Sequence, residues 1–118
     1  MNLIDSPTLQ LATRFLNLAA YRQGLIAGNV ANVDTPGYHT RDIDFRRELR
    51  RSIEANGDSP KPVPEDVPGL IQRPDGNDVS IDRESMSLAE SQLQFRLGVE
   101  VIRHEFRMVS TAVNEGKQ

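Results

Sequence analysis

The chain has 118 residues, which is the size of a single domain. Its net charge of −3 offers no basic surface for nucleic acid, and the absence of cysteine excludes disulfides, thiolate metal sites and cysteine nucleophiles. The chain opens with no charged segment followed by an apolar core, and its apolar runs stay below ~18 residues, so we expect neither a cleaved signal peptide nor a membrane span.

The first predicted element begins at Ser6-Pro7. A serine hydroxyl can accept a hydrogen bond from a free N–H of the first helical turn, and proline at the next position has no N–H to leave unpaired. Apolar residues then recur at spacings of three and four, which predicts an amphipathic helix over 7–33. Gly24 and Gly28 lie inside this helix and predict the close approach of a neighbouring backbone.

The segment after this helix contains Asp34-Thr35-Pro36-Gly37, which resembles the Asp-x-x-Gly motif of GTP-hydrolysing proteins. The chain has no G-x-x-x-x-G-K-[ST] loop to hold the phosphates, which excludes that interpretation. Pro-Gly at the centre of four residues is typical of a type II turn, in which Gly37 takes a positive φ. The segment is therefore predicted to stop the helix, with Asn32 and Asp34 capping its end.

The middle of the chain, over 34–80, is poor in apolar residues. The strongly charged residues 39–55 predict a solvated short helix that docks through Phe45, Leu49 and Ile53. Five of the seven prolines follow between Pro60 and Pro74, so 56–79 is predicted to be a linker or surface loop that is disordered when unbound. Within it, Val67, Leu70 and Ile71 are candidates for a short strand or a docking patch.

The last element is a helix predicted over 81–114, with Asp82 as its N-cap. Its apolar positions alternate in steps of four and three over more than three heptads, interrupted by the polar Gln92. This predicted assembly seam comprises Leu88, Phe95, Val99, Ile102, Phe106, Val109 and Val113. Charged residues, Glu105 among them, are assigned to the outer face of the helix.

These elements predict an all-α fold in which the long N- and C-terminal amphipathic helices pack as an antiparallel coiled-coil pair. The Pro/Gly-rich middle is irregular, with a possible short β element, and residues 1–118 form a single subunit. Such a hairpin has more apolar surface than one partner helix can cover, and it buries too little to be firmly stable alone. We therefore expect other subunits to cover the seam, in contacts that build a helical tube.

Two stretches resemble a known family. "RQGLIAGNVANVDTPGYHTRDIDF", from Arg22 to Phe45, resembles the N-terminal signature of flagellar basal-body rod proteins, and "DGNDVSIDRESMSLAESQLQF", from Asp75 to Phe95, is similar to their C-terminal helix. The family pattern Asn-x-Ala-Asn-x-x-Thr-Pro-Gly-Tyr falls here on Asn29, Ala31, Asn32, Thr35, Pro36, Gly37 and Tyr38. His39 departs from the Lys or Gln more usual in the family, and the Pro-rich middle matches only in being variable.

The resemblance implies a structural subunit of the hollow proximal rod, a shaft that crosses the periplasm and transmits torque. It implies export through the flagellar type III apparatus without a cleaved signal, and no cofactor. The implied partners are other copies of the chain, other rod proteins, the membrane-ring protein and its rod adaptor, with the export apparatus in transit. Neither nucleic acid nor a membrane is an expected partner.

The two alternative classes of function are an enzyme and a soluble coiled-coil adaptor. The only histidines, His39 and His104, lack a second ligand at metal-binding spacing, and the carboxylates Asp42 and Asp44 lie in a charged run where a raised pKa is not expected. An enzyme is therefore not expected. A soluble coiled-coil adaptor would share the two helices but would not predict the Thr-Pro-Gly-Tyr stop.

Overall fold

The computed structural model describes residues 6–55 and 60–116. The chain runs through α1 (Pro7–Ala31), β1 (Arg41–Asp42), α2 (Phe45–Glu54), β2 (Glu65–Asp66) and α3 (Ile81–Gly116). The molecule is elongated, measuring 71 × 26 × 18 Å along its principal axes. The prediction of a mostly helical chain with long first and last helices is confirmed.

Helix α1 begins as predicted and ends two residues early. The Ser6 hydroxyl accepts from the N–H of Leu9 at 3.4 Å, and Pro7 occupies the first helical position. At the other end, the Asn32 side-chain amide donates to the carbonyl of Gly28 at 2.8 Å. The backbone N–H of Asn32 donates to the same carbonyl at 3.1 Å, so Asn32 caps the last turn of the helix. The chain therefore leaves the helix after Ala31, and the predicted end at Val33 is wrong.

The contacts between α1 and α3 run in opposite order along the two helices. The side chains of Asn29 and Glu84 are hydrogen bonded at 3.1 Å, and the Ser91 hydroxyl donates to the carbonyl of Ala19 at 3.3 Å. Further along α3, Gly98 lies against Leu16. The fully buried residues of α3 are thus polar or small; they are Glu84, Ser87, Ser91 and Gly98.

The predicted seam of α3 does not coincide with this buried line. Its apolar residues follow the buried positions by about one residue, and they are half-buried or exposed: Phe106 is 52% exposed and Val113 is 52% exposed. Glu105, which was assigned to the outer face, is half-buried, so that assignment is wrong. The helix also begins differently, because the Ser80 hydroxyl accepts from the N–H of Arg83 at 3.2 Å and occupies the capping position predicted for Asp82.

Helix α2 docks through only part of the predicted stripe. Its Asp44 cap accepts from the N–H of Arg47 at 3.1 Å, and the ring of Phe45 meets that of Phe15 edge-on, with centroids 5.0 Å apart. Ile53, however, is 47% exposed, while Glu48 is buried. Glu48 tolerates burial because its carboxylate accepts from Arg51 at 2.7 Å, and a buried charge needs such a partner.

The Pro-rich segment is better defined than the sequence predicted, although residues 56–59 of the predicted loop lie outside the described residues. Strand β2 pairs antiparallel with β1, placing Asp66 opposite Arg41, just before the predicted strand candidate Val67. The N–H of Val67 donates to the carbonyl of Thr40 at 3.0 Å. Disorder is therefore wrong for residues 60–79. Ile71, the last of the three candidates, is 90% exposed.

Glycine matters at a position that the sequence did not indicate. A Cβ added at Gly98 would stand 2.7 Å from Cδ2 of Leu16, which is closer than two non-bonded carbon atoms approach each other. A Cβ at Gly24 would meet no heavy atom of the described residues within 4 Å, and one at Gly28 would meet only the Tyr38 hydroxyl at 4.0 Å. The close approach predicted at Gly24 and Gly28 is therefore wrong, and it occurs at Gly98.

We predict opposite effects for alanine at the two kinds of site. Gly98→Ala should lower the free energy of unfolding by about 1–3 kcal/mol, because Leu16 must be displaced. Gly24→Ala should raise it by about 0.5–1 kcal/mol, because alanine favours the helix and the space is open. Urea unfolding of the two purified variants measures both effects. Equal unfolding free energies for the Gly98→Ala and Gly24→Ala variants would contradict the close contact of α3 with α1.

Candidate functional site

The family-like motif is organised around the buried side-chain amide of Asn29, which is only 1% exposed. Its Nδ2 donates to the carbonyl of Arg41 at 2.9 Å and to Glu84 at 3.1 Å. Its Oδ1 accepts from the Tyr38 hydroxyl at 3.0 Å and from the N–H of Arg41 at 3.1 Å. The amide thereby fills its whole hydrogen-bonding capacity, and it joins α1 to the following turn, to β1 and to α3.

The turn that follows α1 has the predicted geometry. The N–H of Tyr38 donates to the carbonyl of Thr35 at 3.2 Å, and Gly37 has φ of 75°. The hydroxyl of Thr35 donates to Oδ1 of Asn32 at 3.0 Å, so the side chain that ends the helix also holds the turn. The predicted positive φ at Gly37 is confirmed. The remaining motif residues, Ala31, Asp34 and Pro36, are exposed.

A second turn, which the sequence analysis did not identify as part of the site, fastens the first one. Asn77 is fully buried, and its Nδ2 donates to the carbonyls of Asn32 and Thr35, both at 2.8 Å. The carbonyl of Asp75 accepts from the N–H of Gly37 at 2.9 Å. The two turns touch at Gly76, where a Cβ would lie 3.2 Å from the Cα of Gly37. The segment before α3 is therefore locked to the end of α1.

A network of ion pairs extends from Asn29 along the contact between the two long helices. Arg22 binds Asp42 through two hydrogen bonds of 3.1 and 3.2 Å, and it reaches Glu90 at 3.1 Å. Arg83 bridges Asp42 at 2.8 Å and Glu84 at 3.0 Å. Arg22 is 8% exposed and Glu84 is 1% exposed, so the pairing is needed to make their burial tolerable.

The position of Asp42 corrects its predicted environment. Asp42 was assigned to a solvated run, but its side chain is only 12% exposed. Burial by itself would raise its pKa, yet hydrogen bonds from Arg22 and Arg83 favour the ionised form and hold the pKa below its ordinary value. Burial likewise opposes the charge of Arg22, and its bonds to Asp42 and Glu90 leave its pKa raised.

The two histidines lie in different parts of the structure. His39 lies in the turn region, where its ring meets the carboxylate of Asp78 at 3.4 Å, whereas His104 is exposed on the far part of α3. Within residues 6–55 and 60–116, His, Asp and Glu side chains form no group of three that could hold a metal ion. Across the same residues, no helix has both the length and the apolarity needed to cross a membrane.

The lowered pKa of Asp42 makes a testable contribution to stability. A carboxylate whose pKa is lower in the folded chain stabilises it above the unfolded pKa of about 3.9, and the contribution is lost as the pH falls through the folded value. Asp42→Asn should therefore lower the free energy of unfolding at pH 7 and have a smaller effect toward pH 2–3. Urea unfolding across this pH range measures the difference. An equal loss of unfolding free energy at pH 7 and at pH 2–3 would contradict the ion pairing of Asp42.

The positive φ of Gly37 predicts a graded effect of substitution. A Cβ there would meet no heavy atom of the described residues within 4 Å, so only backbone strain opposes a side chain. Gly37→Val should lower the free energy of unfolding by about 1–2 kcal/mol. Gly37→Asn should cost less, because asparagine tolerates this conformation. Thermal unfolding of both variants tests the order, and a valine variant as stable as the parent chain would refute the turn.

Comparison with known proteins places this arrangement in a family. No protein-family model matches the chain. The chain is 31% identical over 133 residues to the flagellar basal body rod protein FlgB of Escherichia coli, across 92% of this chain and 96% of that protein. It is 35% identical to the FlgB of Salmonella typhimurium over the same shares, and 29% identical to that of Borrelia hermsii across 96% and 99%. The chain therefore belongs to the FlgB family of flagellar basal-body rod proteins.

Proposed function

We propose that this structural rod subunit packs beside other subunits through α3 to form the hollow helical shaft of the proximal rod, which carries torque across the periplasm. The observation that carries this proposal is the apolar surface that α1 leaves uncovered on α3. Phe106 and Val113 are each 52% exposed, and Val109 is 39% exposed. Large exposed apolar patches of this kind mark interaction sites.

The difference in length between the two long helices supports the same proposal. Helix α3 has 36 residues and α1 has 25. Val101 shares a cavity with Thr8, in the first turn of α1, so the following fifteen residues of α3 run about 20 Å beyond that level. We propose that α1 and α3 act as an antiparallel coiled-coil pair whose projecting end is covered in the assembled rod.

The proposed partners follow from the rod as a structure. They are other copies of this chain, other rod proteins, the membrane-ring protein and its rod adaptor, with the export apparatus in transit. The names of the relatives, which are rod proteins of the flagellar basal body, support this location. Their names describe a structural component. This agrees with a chain whose elements are joined by side-chain amides that bind the backbone, as Asn29 does, and by ion pairs such as Arg22 with Asp42.

We predict that a charge in the seam abolishes the rod. Phe106→Asp places a carboxylate where the neighbouring subunit should bury it unpaired, costing several kcal/mol at every copy. A strain that carries this variant should express and export the chain but fail to swim. Because Glu105 is half-buried, the matched control is Arg107→Asp, at a side chain that is 71% exposed and lies about 100° around the helix from Phe106.

The control introduces the same residue at the next position, on a different side of the helix, and should cost about 0.5 kcal/mol or less. Swimming in soft agar and electron microscopy of purified basal bodies are the two measurements. A strain with Phe106→Asp that swims, together with an Arg107→Asp strain that does not, would mean that the outer face rather than the seam is the assembly surface.

A further inference from the structure

Helix α3 carries a second line of exposed apolar residues, separate from the predicted seam. Met86, Leu93, Leu97 and Met108 are 75, 68, 57 and 54% exposed. Their spacings of seven, four and eleven residues place them along one side of the helix. We call this set the methionine stripe, and we call the predicted assembly seam, Leu88 to Val113, the phenylalanine stripe.

The two stripes lie on opposite sides of α3. At 3.6 residues per turn they are separated by roughly half a turn around the helix, with the residues that contact α1 between them on one side. Helix α1 meets α3 at Glu84, Ser91 and Gly98 and leaves most of both stripes exposed, since only Val99 and Ile102 among their members are half-buried. Because the residues that contact α1 lie between the stripes, the two stripes lie on opposite faces of the helix pair, which is 18 Å thick in its thinnest direction.

An apolar cleft adjoins the methionine stripe where α1 and α3 meet. Its volume is about 130 Å³, and it opens to the surface beside Leu97 and Val101 of α3 and Leu11 of α1. Leu11 is itself 42% exposed. A dry apolar cavity of roughly 150 Å³ accommodates a benzene molecule, so this cleft has the size for one aromatic or branched apolar side chain.

We propose that the methionine stripe and its cleft receive the phenylalanine stripe of a second copy of this chain. The inference rests on the proposed function and names the surface that the seam would meet. Contact between two different surfaces on identical subunits repeats without closing on itself unless the rotation completes a ring. A specific interface buries about 1,000 Å² or more in total, so the contact must extend along most of the length of both stripes.

Cysteine cross-linking in living cells tests this pairing, since the chain has no cysteine of its own. One tagged copy carries Leu97→Cys, and a second copy, with a different tag, carries cysteine at Phe95, Val99 or Phe106. Both are expressed together in a strain that lacks its own copy of the protein. We expect a disulfide between the two tagged copies in purified basal bodies with at least one of the three partners, and none when either copy is expressed alone.

Three outcomes would overturn the pairing. A cross-link of Phe106→Cys to itself would show that the phenylalanine stripe meets its own equivalent. A cross-link from Leu97→Cys to a different flagellar protein would assign the cleft to that protein. The absence of any cross-link, in strains that swim normally with both copies, would show that the two stripes do not meet.

Acidic variants separate failure of this inference from failure of the proposed function. Leu97→Asp should reduce the swimming halo to that of the strain without the protein, whereas Arg96→Asp, at the exposed neighbouring residue, should leave it unchanged. If Leu97→Asp swims and Phe106→Asp does not, the pairing fails while the proposed seam stands. If Phe106→Asp swims, the proposed seam itself fails.

Discussion

The buried amide of Asn29 is the interaction on which the rest of the structure depends. It is the point where α1, the turn, β1 and α3 meet, and its four hydrogen bonds leave no capacity unused. A buried polar group that loses a partner costs more free energy than a satisfied one contributes, so the four elements are held together or lost together. The ion pairs of Arg22, Asp42 and Arg83 extend the same dependence along the helices.

This arrangement divides the surfaces of α3 between two tasks. The residues that face α1 are small or polar, and they fix which residues of the two helices lie side by side. The large apolar residues remain at the surface, where they are free to contact other subunits. Polar groups at a helix contact are known to select one register over others, at a cost in stability. A subunit built in this way keeps much of the apolar surface of α3 exposed.

The sequence predicted the features that depend on neighbouring residues. The start of α1 follows from Ser6 and Pro7, and the turn follows from Pro36 and Gly37, because capping and turn geometry are decided within four residues. The line of contact on α3 could not be predicted in the same way. Apolar periodicity identifies the most hydrophobic side of a helix, and here that side is half-buried or exposed, while Glu84 is buried by Asn29, 55 residues earlier in the chain. The one sequence signal for the contact was the spacing of Ser87, Ser91 and Gly98. These small residues repeat at the same heptad spacing as the apolar set, and each lies one residue before a position of that set.

The kind of bonding between α1 and α3 determines how the pair responds to shear. Apolar contacts are non-directional, so packed side chains can slide past one another with little immediate loss. Hydrogen bonds weaken steeply once their atoms move apart or out of line. The links from Asn29 to Glu84, from Arg22 to Glu90 and from Ala19 to Ser91 are spread along the helices and would all be strained by the same sliding motion. In a rotating shaft, such a pair would behave as a stiff unit under axial shear, and any yielding would occur first at the apolar surfaces between subunits.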